Sequence, residues 1–417
     1  MSGSYELFEV FGVELEYMIV DRTSLDVRPL ADRVLQAAAG EIVGEVELGE
    51  ISWSNELALH VIELKTTEPA AELAPLADAF CHSLANMQAY LRDLDACLLS
   101  TAMHPWMDPD RELKLWPHDY NPVYEAYNRI FDCRGHGWAN LQSVHINLPF
   151  ANDDQFGRLH AAIRILLPLL PGLAASSPIV AGSLTGWADN RMQFYRYNSK
   201  RVPSLTGQIV PEAVFSRADY ERQIFKVMYQ DIAPYDTDKI LCHEWLNSRG
   251  AIARFDRQAI EIRVLDVQEH PAADIAICEA VVAVLKLLVG QRWTSYAEQQ
   301  RVSTGELAGL LGETIQQAER AEVRSPEILR QFGLEHSQQT AQTVWHYLIE
   351  QVADQIVHIE PLRKILEHGP LARRIERALL AGEPGAQQSH ADSVHSASPP
   401  IARQQLEEVY RQYCLSD

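Results

Sequence analysis

The chain has 417 residues, with 36 basic and 57 acidic side chains and a formal charge of −21. That acidic excess excludes nonspecific binding to nucleic acid or anionic membrane, and it requires any anionic substrate to be held by local arginines or bound metal. With 47% hydrophobic residues, the chain can bury a substantial core. The six cysteines (Cys81, Cys97, Cys133, Cys242, Cys278 and Cys414) are scattered without a C-x-x-C pair, which predicts reduced thiols in a cytoplasmic protein. Residues Met1–Leu7 lack a basic segment followed by an apolar one, so no signal peptide is expected. The apolar runs Ala161–Gly182 and Ala272–Gly290 contain Arg164, Pro168 and Pro171, and Glu279 and Lys286, so neither is expected to span a membrane.

The first predicted element is a strand within Leu7–Val20. Phe11, Val13, Leu15, Tyr17 and Ile19 alternate there with Gly12, Glu14, Glu16 and Met18. A second strand, within Leu57–Thr67, alternates Ala58, Ile62 and Leu64 with Glu63, Lys65 and Thr67. Pro69 then opens a helical pattern in which Leu73, Leu76, Phe80, Leu84, Met87 and Leu91 recur at three- and four-residue steps. His104–Asn128, with its irregular prolines, reads as a functional or capping loop. Ser143–Leu148 is a third strand, setting Val144, Ile146 and Leu148 against Ser143, His145 and Asn147. A helix follows from about Asp154 to Leu170, then a glycine-containing turn and a helical stretch with Arg191 and Arg196.

Ala259–Asp266 is the fourth strand, with Ile260, Ile262 and Val264 opposite Glu261 and Arg263. From about residue 272 the pattern is almost wholly helical, with Ser325-Pro326 a helix start. Residues 382–400 have linker composition, and a terminal helix is expected within 401–417. This order predicts an α+β fold: one domain over 1–381 with a mainly antiparallel sheet backed by helices, and a helical last third.

Each strand therefore has one face for a core and one bearing acids, a histidine or an arginine. A solvated outer face would explain any one of them. The repetition of glutamate argues for more, because Glu14 and Glu16 on one strand face repel unless a cation lies between them. Glu14, Glu16, Glu56 and Glu63 are the candidate metal ligands, with His145 completing one sphere and Glu261 another; carboxylates with one imidazole suit Mg²⁺ or Mn²⁺. Arg249, Arg254 and Arg263 cluster around the Glu261 strand. Arg263, two residues from Glu261 on the same face, is placed in the site.

These landmarks resemble the carboxylate–amine ligases of the second glutamate–cysteine ligase group, which have a glutamine synthetase-like catalytic sheet. The matching segments are Gly12-Val-Glu-Leu-Glu16, the pair Glu56 and Glu63, Met103-His-Pro105, Val144-His-Ile146, Ser176–Trp187 with Arg191, and Ile260–Asp266. The resemblance implies a curved sheet whose concave face binds ATP with Mg²⁺ or Mn²⁺. It makes Glu14, Glu16, Glu56, Glu63, His145 and Glu261 metal ligands or near-ligands. Arg191 and Arg263 become the catalytic arginines, and Arg191, Arg263 and Arg254 contact the nucleotide or a substrate carboxylate. Many members of that group show His-Val-His where this chain has Ser143-Val-His145.

The implied reaction joins a carboxylate, that of L-glutamate or a similar acid, to an amine such as L-cysteine through an acyl phosphate, as in glutathione biosynthesis. Small-molecule substrates are the expected partners, with at most a second copy of the chain and neither nucleic acid nor membrane. The alternatives are a metal-dependent hydrolase using the same carboxylates and a non-catalytic metabolite sensor.

Overall fold

The computed structural model describes residues 5–381 and 399–415. Its first six strands are β1 (Gly12–Asp21), β2 (Glu45–Leu48), β3 (Ile51–Asn55), β4 (Val61–Thr66), β5 (Ala96–Leu99) and β6 (Ser143–Pro149). A short hairpin, β7 (Ile179–Val180) and β8 (Ser183–Leu184), is followed by β9 (Ala251–Arg254) and β10 (Ala259–Asp266). The two-residue strands β11 (Glu322–Val323) and β12 (Gln339–Thr340) pair with each other, and β13 (Cys414–Leu415) closes the described chain. Among the described residues nine strands form one sheet, ordered β2-β3-β4-β1-β6-β10-β9, with β5 added to the second half of β1 and β13 to β5. Every pairing within it is antiparallel, as the sequence pattern predicts.

The period of two sorts this sheet. Val13, Leu15, Tyr17, Ile62, Leu64, Val144, Ile146, Ile260 and Ile262 are buried in the main core with Phe80, Leu84, Val281 and Leu285 from the helices behind them. The helix Pro271–Val289 is apolar almost all round because neighbours cover nearly every side: the helices Leu76–Asp93, Asp153–Leu166, Ala341–Val352 and Ile359–His368 all pack on it. Pro271 occupies its first turn, and the His270 side chain accepts from Ala272 N. Truncating a fully buried leucine such as Leu285 to alanine would cost about 2–5 kcal/mol.

The opposite face of β1 is divided. Glu14 and Glu16 lie on the open half, whereas Met18 and Val20, two and four residues further on, enter a second core. That core is closed by Leu371, Ile375 and Leu379 and by Leu406, Val409 and Tyr410 of the terminal helix Arg403–Tyr410. Strand β13 continues from that helix onto β5.

Several sequence expectations are refined. The helix expected from Pro69 begins at Leu76, and the one expected to reach Leu170 yields to a 3₁₀ turn at Leu167, where Pro168 supplies no amide hydrogen. The segment read as a loop to Asn128 is helical from Asn121, in the helix Asn121–Phe131. Cys97 of β5 and Cys414 of β13 are joined as a disulfide, correcting the expectation of six free thiols; Cys81, Cys133, Cys242 and Cys278 are free. The pairing of β13 with β5 brings the two sulfurs together from sequence positions 317 apart. Cys278 is fully buried in its helix. Residues 382–398 of the proposed linker lie outside the described residues. No helix among the described residues is long and apolar enough to cross a membrane.

Candidate active site

The polar face of the sheet is built as rungs across neighbouring strands. Ser52, Lys65, Glu14 and His145 are consecutive register partners on β3, β4, β1 and β6. Ser54, Glu63 and Glu16 form the next rung, which sets two glutamates directly opposite each other. Glu56 joins them from the loop after β3. Among the described residues two groups have ligand atoms within 4.8 Å of one another: Glu14, Glu63 and His145, and Glu16, Glu56 and Glu63. Glu63 belongs to both.

Hydrogen bonds fix these side chains. His145 Nδ1 donates to Glu14 Oε2 (2.8 Å), and Nε2 donates to Ser143 Oγ (2.9 Å). Ser143 donates from both N (2.7 Å) and Oγ (2.8 Å) to Glu16 Oε2. Asn147 Nδ2 holds Glu14 Oε1 at 2.9 Å, and Ser54 Oγ holds Glu63 Oε2 at 2.6 Å. Glu16, Glu63 and His145 are each under 10% exposed, so these are desolvated charges rather than a solvated rim.

The electrostatic result is uneven. Burial favours the uncharged Glu14 carboxyl, but the hydrogen bond and charge of His145, helped by Lys65, bring it down to about 2. His145 is the reciprocal case: burial opposes its charge, yet Glu14, Glu16 and Glu261 carry it up to about 9. Glu63 rises to about 7 through burial and the Glu14 charge, against the pull of Lys65 and Ser54. Glu56 is pushed well above the carboxylate range by burial and by Glu63 and Glu16. The floor carries more carboxylates than its own cations neutralise.

The arginines divide into two arrangements. Glu261 lies outside both ligand groups: its Oε1 accepts from Arg263 Nε (3.0 Å), and Arg254 Nη1 is 3.7 Å from its Oε2. His145 Nδ1 is 3.8 Å from Glu261 Oε1, so the carboxylate connects the arginines to the floor. Arg191, 2% exposed, pairs through Nε with Asp266 Oδ1. Arg249, by contrast, is spent on Glu212 through Nε and Nη2, both at 2.6 Å, and on backbone carbonyls.

Two cavities open over this floor. The smaller, about 250 Å³, is lined by Glu16 and Arg191 and by the rings of Tyr124, Tyr127, Trp138, Tyr195 and Trp245. The larger, about 530 Å³, is lined by Lys65, Arg254 and Arg257 with Glu14, Glu63 and Glu261. Glu56, His145 and Arg263 line both. The five rings were not singled out in the sequence as site residues. They come from separate segments, and only the proline-rich stretch before Asn128 hinted at a functional wall there. Lys65 was visible in its strand pattern but had no assigned role.

A carboxylate floor shared by two cavities, with Arg263 at their junction, suits a reaction between two substrates in which anionic oxygens must approach each other. Comparison with known proteins gives the class as ATP-dependent carboxylate–amine ligases. Within that class the chain belongs to glutamate–cysteine ligase family 2, whose model matches residues 10–400. An uncharacterised protein of Archaeoglobus fulgidus is 35% identical over 66% of this chain and 74% of its own length. A protein of Ruegeria pomeroyi, provisionally named glutamate–cysteine ligase 2, is 24% identical over 89% of this chain and 90% of its own. The crystal structure of glutamate–cysteine ligase from Francisella tularensis in complex with AMP superposes with a TM-score of 0.56 at 14% identity. It covers 99% of this chain and 91% of that one, a likeness of fold.

Proposed function

We propose that the protein joins the side-chain carboxylate of L-glutamate, or of a similar acid, to an amine of the L-cysteine type at the expense of ATP. The observation that carries this reading is the shared lining: Glu56, His145 and Arg263 face both cavities, so groups bound in each meet over one floor. In the first step a substrate carboxylate oxygen attacks the γ-phosphorus and ADP leaves. In the second the amine attacks the acyl carbon and phosphate leaves.

The donor set fits a hard divalent cation. Five carboxylate or imidazole side chains (Glu14, Glu16, Glu56, Glu63 and His145) supply two overlapping groups, and the surplus of buried carboxylate charge calls for positive charge. Bound Mg²⁺ or Mn²⁺ would supply neutralisation of the polyphosphate and of developing charge. The chain's own residues do the rest. Lys65 and Asn147 orient the Glu63 and Glu14 carboxylates. Arg263 and Arg254 present basic groups to a phosphate or carboxylate, and Arg191 does so in the smaller cavity. The aromatic wall limits water around the reacting carbonyl, which protects an acyl phosphate from hydrolysis.

The test is an ATP-consumption screen of carboxylic acids crossed with amines, with mass spectrometry of products. Phosphate release that needs both an acid and an amine, with an amide product, supports the reading. Hydrolysis of an amide or ester without ATP would identify a hydrolase instead. Nucleotide binding with no turnover of any pair would identify a sensor.

A further inference from the structure

Strict alternation along β10 puts Asp266 on the apolar face, with Ile260, Ile262 and Val264. It is not there. The register against β6 shifts between Ile262 and Leu265, a β-bulge that leaves Asp266 opposite Ser143, on the same face as His145 and Asn147. The one-residue slip thus turns an acid from the core side to the site side.

On that face Asp266 is 1% exposed and fully engaged. Its Oδ2 accepts from Ser176 N (2.8 Å) and Ser177 Oγ (2.9 Å), and its Oδ1 accepts from Arg191 Nε. Ser177 Oγ also receives Arg191 N at 3.1 Å, so the backbone and the side chain of Arg191 are both tied to Asp266. Arg191 Nη1 donates to the Arg263 carbonyl (3.3 Å). What is left is Nη2: it is buried, it has no hydrogen-bond partner among the described residues, and Arg191 lines the smaller cavity. A buried guanidinium nitrogen with no acceptor is costly unless a ligand supplies one.

We infer that Asp266 is a positioning residue, which locks the Arg191 guanidinium so that Nη2 meets an anionic oxygen of the substrate. The inference rests on the proposed role of Arg191 in substrate binding and extends it to a group that touches no substrate. The anionic oxygen belongs either to the acid's carboxylate or to ATP. Asp189 is fully buried beside the pair, where burial and the Asp266 charge hold its carboxyl well above the usual range, so Asp266 is the ionised acid that orients Arg191.

The test is calorimetric binding of L-glutamate and, separately, of a non-hydrolysable ATP analogue with Mg²⁺. The proteins are full-length wild type, Asp266→Asn, Arg191→Met and the double variant, with thermal melting as the check on folding. Arg191→Met should weaken one of the two ligands about tenfold or more, and which one names the source of the oxygen. Asp266→Asn should weaken the same ligand by a similar factor, and the double variant should be no worse than Arg191→Met alone. Effects that multiply, or an Asp266→Asn protein that binds normally while Arg191→Met does not, would overturn the role of Asp266 only. Normal binding by Arg191→Met would overturn the reading of Arg191 and the inference with it. If Asp266→Asn fails to fold, Asp266→Glu decides: it keeps the charge but moves the guanidinium by one methylene, so the same ligand must weaken for the inference to stand.

Discussion

Glu14 and His145 are register partners on adjacent strands, and with a separation of 2.8 Å each occupies the other's ligand atom. Without a cation, His145 titrates at about 9 and Glu63, the acid common to both ligand groups, at about 7. A cation must therefore expel protons to bind. Mn²⁺ affinity should climb as pH rises from 6 to 9, and titration at pH 7 in buffers of different ionisation enthalpy should show release of at least one proton per ion. An affinity independent of pH over that range would remove Glu63 and His145 from the ligand set.

Glu63→Gln should separate binding from stability. Glu63 stands opposite Glu16, so losing one of two repelling charges should raise the metal-free stability by roughly 0.2–1 kcal/mol. The same change takes a ligand from both groups and should abolish the Mn²⁺-induced rise in melting temperature. A variant that melts lower than wild type yet still responds to Mn²⁺ would mean that Glu63 braces the fold.

Arg263→Lys tests whether the junction arginine works on phosphate. Its Nε already holds Glu261, and its Nη1 is 3.5 Å from Tyr195 Oη. A lysine would keep the charge beside Glu261 but lose the planar fork. Loss of a transition-state contact should lower kcat and kcat/KM together, on the order of tenfold to a thousandfold. Near-normal turnover at saturating substrates would reduce Arg263 to a brace.

Buried neutral histidine sets one part of the acid limb of stability. Burial holds His60 at about 4 despite its Nε2–H···O=C bond to Ala139 (2.7 Å). Above the unfolded value of 6.5 both states are neutral; below it the unfolded chain takes up a proton that the folded chain refuses. The His60 contribution is thus full above 6.5 and is lost as pH falls towards 4. The stability gap between wild type and His60→Gln should narrow over that interval by up to about 3 kcal/mol. Glu63, whose carboxyl is raised, acts in the opposite sense, so the difference between the two proteins is the quantity to measure, by urea unfolding at each pH.

Much of this site was legible because it is written in strands. Period two placed Glu14, Glu16, Glu63, His145 and Glu261 on one face without any knowledge of which strands adjoin, and the antiparallel sheet followed from the same alternation. Asp266 was not legible, because a bulge breaks the alternation that would locate it, and nothing local in Val264-Leu265-Asp266 marks the slip. The aromatic wall was hidden for another reason. Tyr127, Trp138 and Trp245 meet only through tertiary packing, with ring centroids 5.3 and 6.0 Å from Tyr127. The joining of Cys97 to Cys414 likewise depends on β13 finding β5, a pairing set by the second core rather than by cysteine spacing.

The divided face of β1 has a consequence for how the molecule is made. During synthesis the first strand emerges early, but the side chains that cover Met18 and Val20 come from 371–379 and 406–410. Until the ribosome has delivered residue 410, half of one face of β1 offers bare apolar surface beside a cluster of mutually repelling acids. The helix Arg403–Tyr410 completes the cover over Met18 and Val20, so translation that halts before residue 406 leaves that apolar surface open for chaperones to hold.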